Sequence, residues 1–413
     1  MRLRRAATVA VAWTIAFAAG SCGSPASPAP SGADGSPVPS ASASPIVLAS
    51  PAWPSVSVPQ PSAVDTVPSL EPGYQCHPCH FVAEDELLGV APSPGGLIAV
   101  GYQTPPAEAL AFSSADGRRW VATPGFSGAT GTSAIAVASA GDRIVIVGSD
   151  ASGAAAWLGA GDTWTPAPRQ DDLLVPDAAG AMTSVIAAGD GFVAGGYHDD
   201  PTRAAASAAV WRSTDGLHWQ ADDGAGTFAG GRIWSLAVSG GTIVAVGTGG
   251  DPIYGPAAAW RWTPAGGWER AAIAPDPGGA MRAVTATATG FVAVGKDADD
   301  RGAMTWTSSD GRIWTAAPDQ PSFHSFTDPV RMQAVIGGSG GLVAVGWRSD
   351  AAKGSGVVWT STDGVTWLGP TWETGFSGGE MTGVAAIGST TVAVGRTGYP
   401  DWNAAAIWAS PAP

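Results

Sequence analysis

The chain has 413 residues, of which 13% are charged, 58 are glycine and 19 are tryptophan, with a net charge of −14. That length exceeds one ordinary globular core and suits a repeated architecture, and the composition favours short packed strands and tight turns over helices. The acidic balance excludes sequence-independent nucleic-acid binding, which needs a basic face to displace the counterions of phosphate.

Arg2, Arg4 and Arg5 precede an apolar run, Ala6 to Ala19, that is too short and small-sided to span a bilayer. The segment reads as an export signal ending in Ala-Gly-Ser-Cys at Cys22. This end resembles a bacterial lipobox, with Ala19 where that family usually has Leu. The resemblance implies a chain lipidated at Cys22 and held at the cell surface or envelope. Cleavage near Ser21, leaving Cys22 a free thiol, is the alternative. Residues 23–69 are Ser, Pro, Ala and Gly with scattered Val, too little apolar surface to offset chain entropy. They are expected to form a disordered tether, leaving 70–413 as the folded domain.

Within that domain one 15-residue pattern recurs seven times, at 87–101, 134–148, 182–196, 233–247, 281–295, 332–346 and 381–395, with a spacing of 47 to 51 residues. Each copy is an apolar run, a Gly- or Ser-rich turn and a second apolar run ending in Gly. Two short buried strands joined by a tight turn explain it. A third strand is expected to end near an aromatic: Phe112, Trp157, Trp211, Trp260, Trp306, Trp359 and Trp408. A turn of pattern S-x-D-G-x-x-W then follows at Ser114–Trp120, Ser213–Trp219, Ser308–Trp314 and Ser361–Trp367, with worn versions ending at Trp164 and Trp268. A fourth strand begins at the Trp. The unit is four antiparallel strands and the expected fold is all-β, a seven-bladed β-propeller; a β-sandwich or two β domains is the rival. The seventh unit stops after Trp408 without its fourth strand. In the other units the Trp lies 13 to 18 residues before the next first strand, and counting back from Leu87 lands on Tyr74. Residues 72–80 are therefore expected to supply the outer strand that closes the ring.

The turns resemble Asp-box (BNR) repeats, found in sialidases, sortilin-type receptors, photosystem assembly factors and many secreted propellers. The resemblance covers about 70–413 and implies the propeller fold, with function expected among unlike loops opposite the turns. Asp116, Asp215, Asp310 and Asp363 suit backbone N–H acceptance within the turn, and the following Gly suits positive φ, so these aspartates read as structural.

The opposite face should hold the loops between second and third strands, each carrying an acid: Glu108, Asp150, Asp199 with Asp200, Asp251, Asp297 with Asp299 and Asp300, Asp350 and Asp401. Such a ring would favour a cation or cationic partner; solvated loops are the alternative. Asp297, Asp299 and Asp300 offer the hard oxygens calcium takes. Trp347, Trp372, Trp402 and Trp234, with Arg348 and Arg396, are the candidate ligand contacts, since exposed indoles stack on sugars or anchor a protein. Packing between loops is the plainer role for the Trp residues.

The expected function is a binding or scaffold module for a glycan, peptide or protein, monomeric and touching a membrane only through its lipid. No catalytic constellation is read. A sialidase-like glycoside hydrolase is one alternative. An electron carrier is another, because Cys76-His77-Pro78-Cys79-His80 has the C-x-x-C-H spacing of c-type haem attachment. A local disulfide between Cys76 and Cys79 is the simpler reading, and no cofactor is expected beyond the calcium considered above.

Overall fold

A computed structural model describes residues 55–56 and 84–410, apart from 105–106, 174–179, 199–206, 223–225, 251–254, 326–327, 339, 350–353, 372–375 and 399–403. Seven antiparallel sheets follow one another in sequence. Blade one is β2 (Glu84–Ser93), β3 (Gly96–Thr104), β4 (Glu108–Ser114) and β5 (Val121–Ala122). Blade two is β6 (Ser133–Ala140) to β9 (Thr163–Pro166), and blade three is β10 (Gly180–Ala188) to β13 (Gln220–Ala221). Blade four runs from β14 (Gly231–Ser239) to β17 (Gly267–Arg270), and blade five from β19 (Ala280–Thr287) to β22 (Ile313–Ala316). Blade six is β23 (Val330–Gly338) to β26 (Leu368–Thr371). Blade seven is β27 (Gly379–Ile387), β28 (Thr390–Thr397) and β29 (Ala404–Ala409), with β1 (Ser55–Val56) as its fourth strand. Each first strand packs on the first strand of the next blade, β27 on β2 included, so the seven form a closed ring. The protein is a seven-bladed β-propeller.

The repeat is written into the packing. The first residue of every 15-residue pattern, Leu87, Ala134, Met182, Ile233, Met281, Met332 or Met381, is fully buried. The aromatic of each third strand sits opposite a second-strand residue, as in Ala194 against Trp211 and Ala344 against Trp359, and all seven aromatics are buried. These side chains pack in the clusters between blades and contribute to the apolar burial that drives folding.

Every first strand also carries a β-bulge at the same place, skipping Leu88, Ile135, Thr183, Trp234, Arg282, Gln333 and Thr382. The closing Gly of each pattern explains how the bulge is tolerated. A Cβ on any of these glycines, Gly101 through Gly395, would lie 1.8 to 2.0 Å from the carbonyl oxygen just before the buried first residue. Only a residue without a side chain admits that backbone approach.

The S-x-D-G-x-x-W turns share one construction. In three of them Asp Oδ1 accepts two backbone N–H bonds, from Arg118 and Arg119, from Leu217 and His218, and from Val365 and Thr366. In the fourth, Asp310 accepts from Arg312. The Ser hydroxyl accepts the Gly N–H, the Gly has positive φ, and the buried Trp donates its Nε1–H to the Gly carbonyl in all four. Blades two and four depart from this. There the Trp has moved into the ladder, Trp164 opposite Gly159 and Trp268 opposite Trp262. These turns lie beside the first-to-second-strand turns of neighbouring blades, where Arg143 donates to the carbonyls of Thr214 and Asp190. The loops between second and third strands therefore lie on the other face.

One expectation needs correction. The strand closing blade seven is Ser55–Val56, antiparallel to Trp408 and Ile407, and not the segment around Tyr74. The count failed because a link from outer to inner strand inside the ring is held to a standard length, whereas an outer strand arriving from the N-terminal side needs only enough chain to reach. Residues 72–80 lie outside the described residues, and β1 falls within the stretch expected to be tether. A second unforeseen strand, β18 (Ala272–Ile273), leaves blade four and pairs parallel with β22, widening blade five to five strands.

Candidate functional site at the inner rim

The bulges place unlike side chains at equivalent points on the inner rim, at the end of the first strands nearer the second-to-third-strand loops. Where the bulged residue is Thr, it latches blades together. Thr183 Oγ1 donates to the carbonyl of Ile233 at 2.6 Å, and Thr382 Oγ1 to that of Leu87 at 2.6 Å across the closure of the ring. Elsewhere the same position holds Trp234, Arg282 and Gln333.

One residue before each buried apolar position comes a second ring, charged in four of the seven blades at Glu86, Arg232, Arg331 and Glu380. Glu380, 3% exposed, is the centre of a network. Arg396 bonds it at 2.7 Å, Gln333 at 3.1 Å and Arg331 at 3.3 Å. Arg396 also reaches Glu86 at 3.5 Å, and Glu86 accepts the Tyr102 hydroxyl at 2.9 Å. On the other side Arg331 lies 3.8 Å from Asp300, whose second oxygen is 3.1 Å from the buried Lys296. The chain of contacts runs through blades one, seven, six and five.

Burial opposes the charge on Arg396, but Glu86 and Glu380 outweigh it and hold its guanidinium above the usual range. Asp85, beside Glu86, is pushed up by burial.

Aromatic rings continue the rim into blades four and three. Arg331 lies over Trp347 at 4.6 Å, Arg282 over Trp234 at 5.0 Å and Arg232 over Tyr197 at 3.9 Å. Tyr197 and Trp234 approach with ring centroids 6.2 Å apart.

The candidates named from sequence separate accordingly. Trp234, Trp347 and Arg396 belong to this rim, and Arg348 ends β24 (Gly341–Arg348) beside it, opposite Val330. Trp372 and Trp402 lie outside the described residues, as do Cys22, Cys76 and Cys79. Of the calcium candidates, Asp300 faces Lys296 and Arg331, Asp297 accepts the Arg301 N–H at 2.8 Å, and Asp299 is exposed. Among the described residues no three His, Cys, Asp or Glu side chains group as a metal would need. The acidic loops are partly described: Glu108 is bonded to Gln103 and Thr130, and Asp150 to the Ser152 N–H. Asp199, Asp200, Asp251, Asp350 and Asp401 are outside the described residues.

Sequence reasoning missed Glu380, Gln333 and Glu86. For Gln333 a signal was available in the second column of the repeat. It reads Leu, Ile, Thr, Trp, Arg, Gln, Thr beside a first column that is apolar throughout.

No protein-family model matches the chain, and no curated protein matches it by sequence. Its likenesses are to solved structures. The chain is similar to YCF48 bound to D1 peptide, with a TM-score of 0.51 and 13% identity over 80% of this chain and 93% of that one. It is also similar to the fucose-specific lectin from Aleuria aurantia, with a TM-score of 0.40 and 13% identity over 63% and 86%. A glycoside hydrolase gives a TM-score of 0.32 and 13% identity over 55% and 86%. At these identities the first likeness supports the fold and no more.

Proposed function

We propose that the protein is an exported, surface-tethered binding module that takes a glycan, peptide or protein partner on its inner rim, opposite the S-x-D-G-x-x-W turns. In this reading the turns are Asp boxes and Cys22 carries the lipid. The observation that carries it is the contrast within one column of the repeat. A position that does nothing for the fold but latch blades in Thr183 and Thr382 holds Trp234 and Arg282 elsewhere, beside a charged network spanning four blades. Rigid strands bearing aromatic and guanidinium groups are the chemistry of recognition surfaces. The YCF48 propeller holds a peptide, which fits this use of the fold without deciding the partner here.

The test is capture of ligands by the full chain on glycan and peptide arrays. The expected result is a defined ligand class whose capture is lost in the W234A/R282A double variant. Capture that survives that variant, or no capture at all, would overturn the reading.

A glycoside hydrolase is the second reading, favoured by one contact, the Tyr102 hydroxyl on Glu86 at 2.9 Å. A hydrolase of the sialidase kind would use such a pair as nucleophile, with free arginines to hold the substrate. Here Arg331 and Arg396 are both engaged by Glu380. Release of fluorophore from a panel of fluorogenic glycosides, abolished in Y102F, is what this reading requires. The haem reading requires Soret absorption in the purified protein.

A further inference from the structure

We propose that the outer corner of blades six, seven and one, on the face of the S-x-D-G-x-x-W turns, rests on an anionic lipid bilayer and so turns the ligand face away from it. This goes beyond the binding reading and rests on its lipid at Cys22.

The first observation is where the chain enters the ring. Ser55 pairs with Trp408 and Val56 with Ile407, antiparallel, so the chain before Ser55 lies toward the Ser410 end of β29. That end is on the turn face, because Ser410 exchanges hydrogen bonds with Thr391 at the start of β28, beside the turn that follows β27. Whatever path residues 23–54 take, an anchor at Cys22 holds the fold by this corner. Tethering raises the effective concentration of the corner at the surface, so contacts too weak to capture a free protein take hold.

The second observation is apolar exposure. Among the described residues five large apolar side chains are exposed, and three of them lie on the two blades that flank blade seven. Val121 of β5 is 57% exposed, Leu368 of β26 is 59% and Val365, in the turn before it, is 37%. Single exposed apolar residues are ordinary. These stand on either side of the point where the anchored chain arrives, and that position gives them a use.

The third observation is charge. A net charge of −14 opposes contact with an anionic surface. Residues 114–122 run against that balance, with Arg118 and Arg119 facing Asp116 alone. Arg118 donates to the carbonyl of Ser410 at 2.8 Å and so lies at the entry point, while Arg119 is exposed. The nearby Asp116 and Asp363 carboxylates are each held by two backbone N–H groups of their own turns. Guanidinium groups set among exposed apolar side chains are the chemistry that brings a protein onto anionic headgroups.

The experiment is hydrogen–deuterium exchange on the full chain, purified with its native N-terminus and reconstituted on phosphatidylcholine vesicles with and without phosphatidylglycerol. The intact mass reports lipid at Cys22 independently. The expected result is slower exchange of the 119–123 and 365–371 amides on the vesicles with phosphatidylglycerol than in detergent, with 217–222 of blade three unchanged. R119Q should lower that protection about fivefold, the worth of one arginine near an anionic surface. V121D/L368D should abolish it, whereas I313D, at a position 57% exposed on blade five, should leave it intact. Equal protection of 217–222, or protection of neither stretch, overturns the corner, and so does protection that survives V121D/L368D. A mass without lipid refutes the anchor and not the corner. Flotation of that chain with the anionic vesicles then decides: capture that V121D/L368D abolishes supports the corner, and any other result overturns it.

Discussion

The two faces of the ring are made from the same seven repeats and treat their polar groups in opposite ways. On the face of the S-x-D-G-x-x-W turns, the Asp, Ser and indole groups find partners within the same seven residues, while backbone groups of the turns are bound from outside, the Trp367 N–H by Gln320 and the Thr214 carbonyl by Arg143. At the inner rim the side chains reach across blades, from Gln333 to Glu380 or from Arg396 to Glu86, and N–H groups of Trp234 and Arg282 remain without acceptors. A locally satisfied turn can be copied unchanged, which is why it recurs. A rim position depends on what the next blade supplies, so it is free to differ and to serve a ligand.

The largest test of that contrast is Glu380→Gln. It removes the carboxylate shared by Arg331 and Arg396 and leaves two half-buried guanidinium groups poorly compensated. Breaking a buried pair from one side costs about 3 kcal/mol or more. Denaturant unfolding should show a loss of about that size. A loss under about 1 kcal/mol would mean that the rim charges are not coupled across blades, and the contrast between faces would fail.

Gly364→Ala probes the other face. Its φ is +75° and a new Cβ would lie 2.5 Å from Val292 Cγ2 of the neighbouring blade. The left-handed conformation alone costs about 1–2 kcal/mol for a residue with a side chain. A loss of about 2 kcal/mol is expected, with ligand capture unchanged once the protein is folded. Loss of capture in a folded G364A protein would show that the turn face takes part in binding.

Most of the fold was legible in the sequence, and the reason is the repetition itself. Each strand pair ends in a Gly forced by a backbone contact, and each third strand carries an aromatic forced by the gap between blades. Constraints of that kind act in every copy and leave a column. The closing strand Ser55–Val56 was not legible, because a two-residue strand without a turn behind it leaves no pattern. The site was half legible. Trp234, Trp347 and Arg396 stood out as residue types outside the framework, while Glu380 was not singled out. Its partnership with Arg331 depends on register between two blades, which no local spacing encodes.

Acid titration separates the faces by sign. Asp116 is held below the usual carboxylate range by the N–H groups of Arg119 and Arg118. In Asp215 and Asp363 burial pushes upward, but hydrogen bonds from the His218 ring and N–H in one, and from Thr366 and Val365 in the other, outweigh it. A carboxyl depressed in the folded state contributes stability that is present above its unfolded value, about 3.9, and lost as pH falls through the folded one. Unfolding free energy should therefore be nearly level above about pH 5 and decline below about pH 4. Asp363→Ala should cost about 1 kcal/mol at neutral pH, through two lost N–H bonds, and shrink that decline. An unchanged acid profile in this variant would mean that the turn aspartates are not what the decline reports.

The smallest effects belong to the Thr latches, and they bear on whether the ring closure is special. Thr382→Val and Thr183→Val delete the same hydrogen bond, 2.6 Å in each case, from Thr Oγ1 to the carbonyl before the next bulge. The Thr183 bond joins two blades already linked by continuous chain. The Thr382 bond joins blade seven to blade one, a seam supported also by apolar packing around Val392 and Leu97, by the Arg396–Glu86 ion pair and by Arg118 donating to the carbonyl of Ser410. Each substitution should cost about 1 kcal/mol. Equal losses would show that the seam is no weaker than the blade three to blade four junction, because burial, the Arg396–Glu86 pair and the Arg118 bond carry it as chain continuity carries the other. A clearly larger loss in T382V, with earlier exchange of amide hydrogens in β27 and β2, would make the inner rim a structural clasp as well as a ligand face, and the division between the two faces would have to be drawn blade by blade.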